Sequence, residues 1–294
     1  MENDTVAFVL IHGAWHNSTC WQPLMEHVAR SGYETYAIDL PGAGVHSVNP
    51  TSYSNPVDGT VFAREPTPNS GVTQEQRTNA IVELINGIRK STDRPIVLVG
   101  HSMGGLTVTA VAEAIPEQLE AIVYVTGFML APSVTLSEFH RHPANSSSVL
   151  RTLIAAPPAE IGAQRINFRS NDKTFYDRMK LAFAADIEDS DFAAHIANLH
   201  CDEPNSVTLL PSPMTFERFG KVPRHYIRCL QDRGLPPEAQ TVLIREVDAA
   251  MENHTVVHEL HSSHLPMVSQ PQALAQLLDS IAAERLKKNS SRNI

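Results

Sequence analysis

Residues 100–104 read Gly-His-Ser-Met-Gly, directly after the apolar run "PIVLV" and directly before a segment with helical spacing. A serine between glycines at a strand-to-helix turn is either an idle residue of a glycine-rich turn or a nucleophile, and its setting favours the nucleophile. The tight turn forces Ser102 into a strained backbone conformation, and side chains at the flanking glycines would collide with the strand and helix on either side. The hydroxyl is thereby lifted above the end of the strand, at the start of a helix whose amides favour a developing negative charge. Such a serine suits nucleophilic attack on an acyl carbonyl, provided a base takes its proton. A bare G-x-S-x-G is common by chance, so the bracketing strand and helix carry the inference.

On a scaffold of this kind the partners follow in the order serine, acid, histidine, each on a loop past a strand end. "RHYIRCL" is followed by "QDRG", which puts Asp232 past a strand, and "TVVHEL" is followed by "HSSHLP", which puts His264 past the last one. His261 is the rival base, but it sits closer to the strand, whereas His264 lies on a loop leading into a helix. His258, inside the strand, reads as structural. The rival acids are Asp202, Glu203, Glu246 and Asp248, none of which directly follows a strong apolar strand. An oxyanion needs two amide donors: Met103 N–H, next to the nucleophile, and Ala14 N–H, in "HGAWH" after the first strand.

The elements that must position these groups alternate. "VAFVLIHG" (6–13), "YETYAIDLPG" (33–42), "PIVLVG" (95–100) and "EAIVYVTGF" (120–128) read as strands, the first a continuous apolar run of the kind buried on both faces of a parallel sheet. Helices are expected near 19–31, 73–90 and 103–115. Strand and helix in strict alternation point to an α/β protein with a doubly wound parallel sheet of about six strands. Residues 45–72 hold Pro50, Pro56, Pro66 and Pro68 among Ser, Asn and Thr, and read as a long loop insertion. Residues 131–215 lack a strongly buried strand; "KTFYDRMKLAFAA" and "DFAAHIANLH" are their clearest helices. The expected organisation is a core of 1–130 and 216–294 with a helical cap of 131–215 between two sheet strands. "QPQALAQLLDSIAAERLKK" reads as the last helix, with "NSSRNI" a frayed tail.

The 294 residues carry a net charge of −9, which argues against a nucleic-acid groove and against general attraction to anionic membranes. The fourteen histidines form no metal-ligand pattern, so no metal and no other cofactor is expected. Cys20, Cys201 and Cys229 are odd in number and far apart, as reduced thiols in a cytoplasmic protein would be. The N-terminus lacks the basic and apolar regions of a signal peptide, and no apolar run is long enough to span a bilayer.

The stretches "FVLIHGAWHNSTCW", "AIDLPGAG", "VLVGHSMGG", "FERFGKVPRHYIRCLQDRGLPPEAQ" and "HSSHLPMVSQPQAL" resemble the α/β-hydrolases of the plant methylesterase, salicylate-binding esterase and hydroxynitrile lyase branch, and bacterial carboxylesterases of the pyrethroid-hydrolysing type. The resemblance covers both ends of the sheet and only weakly the cap. It implies the α/β-hydrolase fold, a Ser102–Asp232–His264 triad, an oxyanion hole at Ala14 and Met103, and a homodimer. In the lyase branch a threonine follows the first-strand histidine and a lysine follows the catalytic one. Gly13 and Leu265 stand there instead, so a cation to handle cyanide is missing.

The expected function is therefore a serine carboxylesterase acting on a small, largely apolar ester. Trp15, Phe128, Met129, Phe175, Phe183 and Leu265 are candidates for the pocket wall, each equally fit for plain core packing. A lactone or amide hydrolase uses the same triad. A small-ligand receptor of the same fold is the alternative from a different class.

Overall fold

The computed structural model describes residues 5–54 and 57–292; Asn55 and Pro56, inside the expected insertion, lie outside the described residues. The strands are β1 (Ala7–Ile11), β2 (Glu34–Ala37), β3 (Ile96–His101), β4 (Leu119–Val125), β5 (Ala163–Arg165), β6 (Asp202–Pro204), β7 (Arg224–Cys229) and β8 (Val256–Leu260). Six of them form one sheet in the order β2-β1-β3-β4-β7-β8, with every pairing parallel. The chain is thus an α/β protein with the fold its motifs implied.

The apolar runs are continuous because both faces of the sheet are covered. Phe8, Leu10, Val97 and Val99 enter one core, while their neighbours Val9, Ile11, Ile96 and Leu98 enter the other. Each such side chain contributes roughly 1.5–3 kcal/mol by leaving water. The edge strand β8 differs: Val256 and Val257 stay exposed, and only Leu260 at its end is buried.

The main helices are α1 (Gln22–Arg30), α2 (Gln74–Arg89), α3 (Gly104–Ala114), α4 (Lys173–Phe183), α5 (Asp189–Ile196), α6 (Pro237–Ala250) and α7 (Pro271–Arg292). Helix α2 starts at a capping box in which Gln76 N–H donates to Thr73 Oγ1 (3.2 Å) and Thr73 N–H to Gln76 Oε1 (2.9 Å). Ile81, Ile85 and Ile88, one helical face, are its buried stripe. Helix α7 continues through most of the tail expected to fray, and residues 293–294 lie outside the described residues.

Two elements escape the sequence reading. Helix α6 fills the stretch between β7 and β8, opened by Pro237 at its first turn, with Leu243 and Val247 buried one turn apart. Strands β5 and β6 form an antiparallel pair inside 131–215, where only helices were expected. They are three residues each and carry Arg165 and Asp202, which meet in a fully buried bidentate pair (Nε–Oδ1 and Nη2–Oδ2 both 2.6 Å). Burial there is satisfied by charge pairing, so no apolar alternation marks it.

The 45–72 segment is fastened onto this hairpin. Arg165 Nη1 donates to the Phe62 carbonyl and to the Glu65 carbonyl (2.7 Å), and Arg169 Nη1 to the Tyr53 carbonyl (2.6 Å). Tyr53 and Phe62 stack at 5.5 Å and are buried.

Candidate active site

Ser102 stands between β3 and α3 with φ +50°, a left-handed conformation that a side-chain-bearing residue seldom adopts. The turn is closed by Ser102 N–H to the Val125 carbonyl (3.2 Å) and Phe128 N–H to the Ser102 carbonyl (2.9 Å). The flanking glycines are needed for space. A Cβ on Gly100 would lie 2.4 Å from Val108 Cγ2, and one on Gly104 would lie 2.6 Å from the His12 carbonyl oxygen of the β1 loop.

His264 and Asp232 reach this serine from loops past β8 and β7. His264 Nε2 lies 2.9 Å from Ser102 Oγ, and His264 Nδ1 lies 2.7 Å from Asp232 Oδ2. Asp232 is fully buried, and its other oxygen, Oδ1, accepts from the amides of Gly234 (2.7 Å) and Leu235 (2.8 Å). Thr126, at the end of β4, donates to Oδ2 (2.5 Å). The carboxylate is thus oriented by the Gly234 and Leu235 amides and the Thr126 hydroxyl, and its contact at His264 Nδ1 leaves Nε2 facing the serine hydroxyl.

Two further groups aim the histidine. His101 Nε2 donates to the His264 carbonyl (2.8 Å), with the two rings 4.8 Å apart. Asp186 accepts from Ser263 N–H (3.1 Å) and from the Ser263 hydroxyl, pinning the loop. Neither Thr126 nor Asp186 was foreseen. Thr126 left a trace in the sequence, as the polar residue ending the apolar β4 beside the elbow strand; Asp186 left none.

The rival residues are occupied elsewhere. His261 is exposed, and His258 stacks on His225 of the neighbouring strand. Asp202 pairs with Arg165, Asp248 with Arg224 and Thr255, and Glu246 lies 4.0 Å from His142.

Glu203 has a different task. Its Oε2 accepts from Trp15 N–H (3.2 Å), and Trp15 is itself held at φ +61°. Its Oε1 lies 2.7 Å from Arg77 Nη1, with both side chains buried. Burial pushes its pKa up against the opposing pull of Arg77. The loop that carries Ala14 is therefore clamped one residue further on by a buried ion pair. Arg77→Ala is expected to destabilise the fold by about 3–5 kcal/mol, because a buried carboxylate then loses its counter-charge. Urea denaturation measures this, and a loss under about 1 kcal/mol would show the pair to be dispensable. The double variant Arg77→Met with Glu203→Gln should recover much of it.

Ser102, His264, Ala14 and Met103 open onto one cavity of about 410 Å³. That volume suits a small organic substrate. Trp15 and Phe128 line it. Met129 and Leu265 do not: Met129 is buried in the core on the α2–α3 side of the sheet, and Leu265 is buried in the opposite core. Both follow a site residue in sequence, but the chain turns them inward. Phe183 packs edge-on to Trp15 behind the wall, and Phe175 lies half-buried against the same core. The three cysteines are free and buried, each with its thiol pKa raised by burial. Among the described residues, no group of three or more His, Cys, Asp or Glu is arranged to hold a metal ion, and no helix is long and apolar enough to cross a membrane.

An alpha/beta hydrolase family model matches residues 8–277, and the chain belongs to that family. Within it the chain is similar over nearly its whole length to proteins of the methylesterase branch. It is 25% identical over 282 residues to Methylesterase 1 of Arabidopsis thaliana, covering 94% of this chain and 95% of that one. It is 26% identical over 289 residues to Salicylic acid-binding protein 2 of Nicotiana tabacum (94% and 96%). Among solved structures, a pyrethroid hydrolase from Sphingobium faniae JZ-2 superposes with a TM-score of 0.71 at 24% identity, covering 94% of this chain and 97% of that one. Polyneuridine aldehyde esterase gives 0.69 at 21% (94% and 99%). At such identities the two structures speak for the fold alone.

Proposed function

We propose that the chain is a serine carboxylesterase. The observation that carries this reading is the unbroken hydrogen-bonded relay from Ser102 Oγ through His264 to buried Asp232 at the floor of a cavity. The name of Methylesterase 1, matched over nearly its whole length, agrees with it.

In the first half-reaction Ser102 Oγ bonds to the ester carbonyl carbon while His264 Nε2 takes the hydroxyl proton. The carbonyl oxygen becomes an oxyanion held by the Ala14 and Met103 amides. Collapse breaks the bond to the alkoxy oxygen, which leaves as the alcohol with the proton from His264. Water then attacks the acyl-serine, giving its proton to His264. The second collapse releases the acid and returns that proton to Ser102. Asp232 stabilises the imidazolium in both halves without taking a proton.

Segment 131–215, acting as a cap, supplies the outer wall of the pocket. Its inner wall of Trp15, Phe128 and Leu235 favours an apolar body next to the reacting carbon. The test is pre-steady-state hydrolysis of p-nitrophenyl butyrate, with labelling by a fluorophosphonate. A burst of one p-nitrophenol per chain and a mass adduct on Ser102 are expected. Tight ligand binding with neither burst nor adduct would replace this reading with a receptor of the same fold.

A further inference from the structure

The cavity above Ser102 is apolar near the nucleophile and cationic at its rim. Arg141, just after the turn of helix Leu136–Phe139, and Arg151, in the 3-10 turn Leu150–Leu153, both line it. Among the described residues that line it there is no Asp or Glu. Arg141 has only a long contact to Ser137 Oγ (3.5 Å), and no carboxylate lies within ion-pair distance of either guanidinium among the described residues. Glu138, the acid on this element, accepts from the Thr135 amide and hydroxyl at 2.8 Å each and feels the Arg141 charge only from beyond ion-pair distance. In a chain of net charge −9, two arginines without an ion-pair partner facing one acid-free cavity run against the overall balance.

Two neighbours support a ligand at this rim. His140, between the two arginines' fields, lines the same wall, and its pKa is lowered to about 4 by burial and then by Arg151 and Arg141, so it adds no charge of its own near neutrality. Asn145 also lines the cavity and is only 2% exposed, yet its Oδ1 has no hydrogen-bond partner. An amide sealed in this way lacks a partner that a bound molecule would supply, and a half-turn about its terminal bond presents N–H groups instead.

We infer that the ester taken by this site carries a carboxylate at its far end, held at the cavity rim by Arg141 and Arg151 with the Asn145 amide beside them. The substrate class is a monoester of a dicarboxylic acid, with an apolar chain spanning from the reacting carbonyl to the rim. Guanidinium matches carboxylate in shape and binds it with charge-assisted hydrogen bonds, which sets the charged end apart from an uncharged one of equal length. This inference rests on the esterase reading and adds the substrate's second functional group.

The test compares two substrates that share one adipoyl chain, p-nitrophenyl hydrogen adipate and methyl p-nitrophenyl adipate. In the wild-type protein the charged ester should have the higher kcat/KM by about tenfold, an order expected for a charge-assisted pair, and high salt should compress the ratio. In Arg141→Gln/Arg151→Gln the ratio should fall to near one. Because it is a ratio on one sample, partial misfolding of the variant does not alter it. A wild-type ratio of one or less, or a ratio that survives the double substitution, overturns the inference. Calorimetry of monomethyl adipate against dimethyl adipate separates the two readings. If neither nitrophenyl ester is hydrolysed but the monoester binds more tightly through the arginines, the esterase reading fails and the rim assignment stands. If both nitrophenyl esters are hydrolysed with no preference, the reverse holds.

Discussion

Ser102→Ala is expected to lower kcat for p-nitrophenyl butyrate by about 10⁴- to 10⁶-fold, the scale seen when the nucleophile of such a relay is removed. The folded state should be left at least as stable. The hydroxyl's side-chain partner is His264 Nε2, and the residue is 7% exposed, so its loss opens little space. The left-handed backbone at Ser102 is maintained by β3, α3 and the Phe128 amide rather than by the hydroxyl. Activity and stability are therefore separable at this residue, as is common where strain serves chemistry. Steady-state turnover and a thermal melt on one preparation measure both. Residual activity within tenfold of wild type, with Tm unchanged, would show that another group performs the attack.

The second large effect is with pH. Six histidines are held neutral, His12, His16, His101 and His200 in the interior and His140 and His195 half-buried, with burial as the first cause in each case. His12, His140 and His195 have their pKa lowered from 6.5 to about 4, and His200 to about 3. The unfolded chain takes up these protons near pH 6.5, while the folded chain resists until about pH 4. Their contribution is thus fully present above pH 6.5 and is lost as pH falls toward 4. Glu203, raised by burial, works in the opposite direction, but it is a single group. A tenfold difference in proton affinity between the folded and unfolded chain is worth about 1.4 kcal/mol, and a whole domain has about 5–15 kcal/mol to lose. Circular dichroism should show cooperative unfolding with a midpoint above about pH 4. A protein whose Tm at about pH 4 equals that at about pH 7.5 would refute this account.

The meeting of Ser102, Asp232 and His264 was legible because each sits at a junction with local signals. Ser102 has an apolar strand before it and helical spacing after it, and both Asp232 and His264 follow strand ends. The sheet was legible for a similar reason, since burial on both faces leaves a run of apolar residues. Long-range polar pairing was not legible. Arg165–Asp202 and Arg77–Glu203 join residues 37 and 126 positions apart, counting along the chain, and neither pairing imposes a period. Glu203 could be weighed as a catalytic acid from sequence because nothing local records that its carboxylate is already committed to Arg77 and the Trp15 amide. Met129 and Leu265 were drawn toward the pocket by adjacency to site residues. The chain direction at Phe128–Met129 and His264–Leu265 turns alternate side chains to opposite sides of the wall.

Arg165 grips the 45–72 segment through two carbonyls and Asp202 through its carboxylate, and Glu203, the next residue, grips the loop that bears Ala14. A surface excursion of the chain is therefore in series with the loop whose Ala14 amide we assign to the oxyanion. Shortening or grafting that excursion is not a neutral edit of the exterior. It slackens the hairpin on which a donor depends, so the penalty should fall on turnover before it falls on substrate affinity.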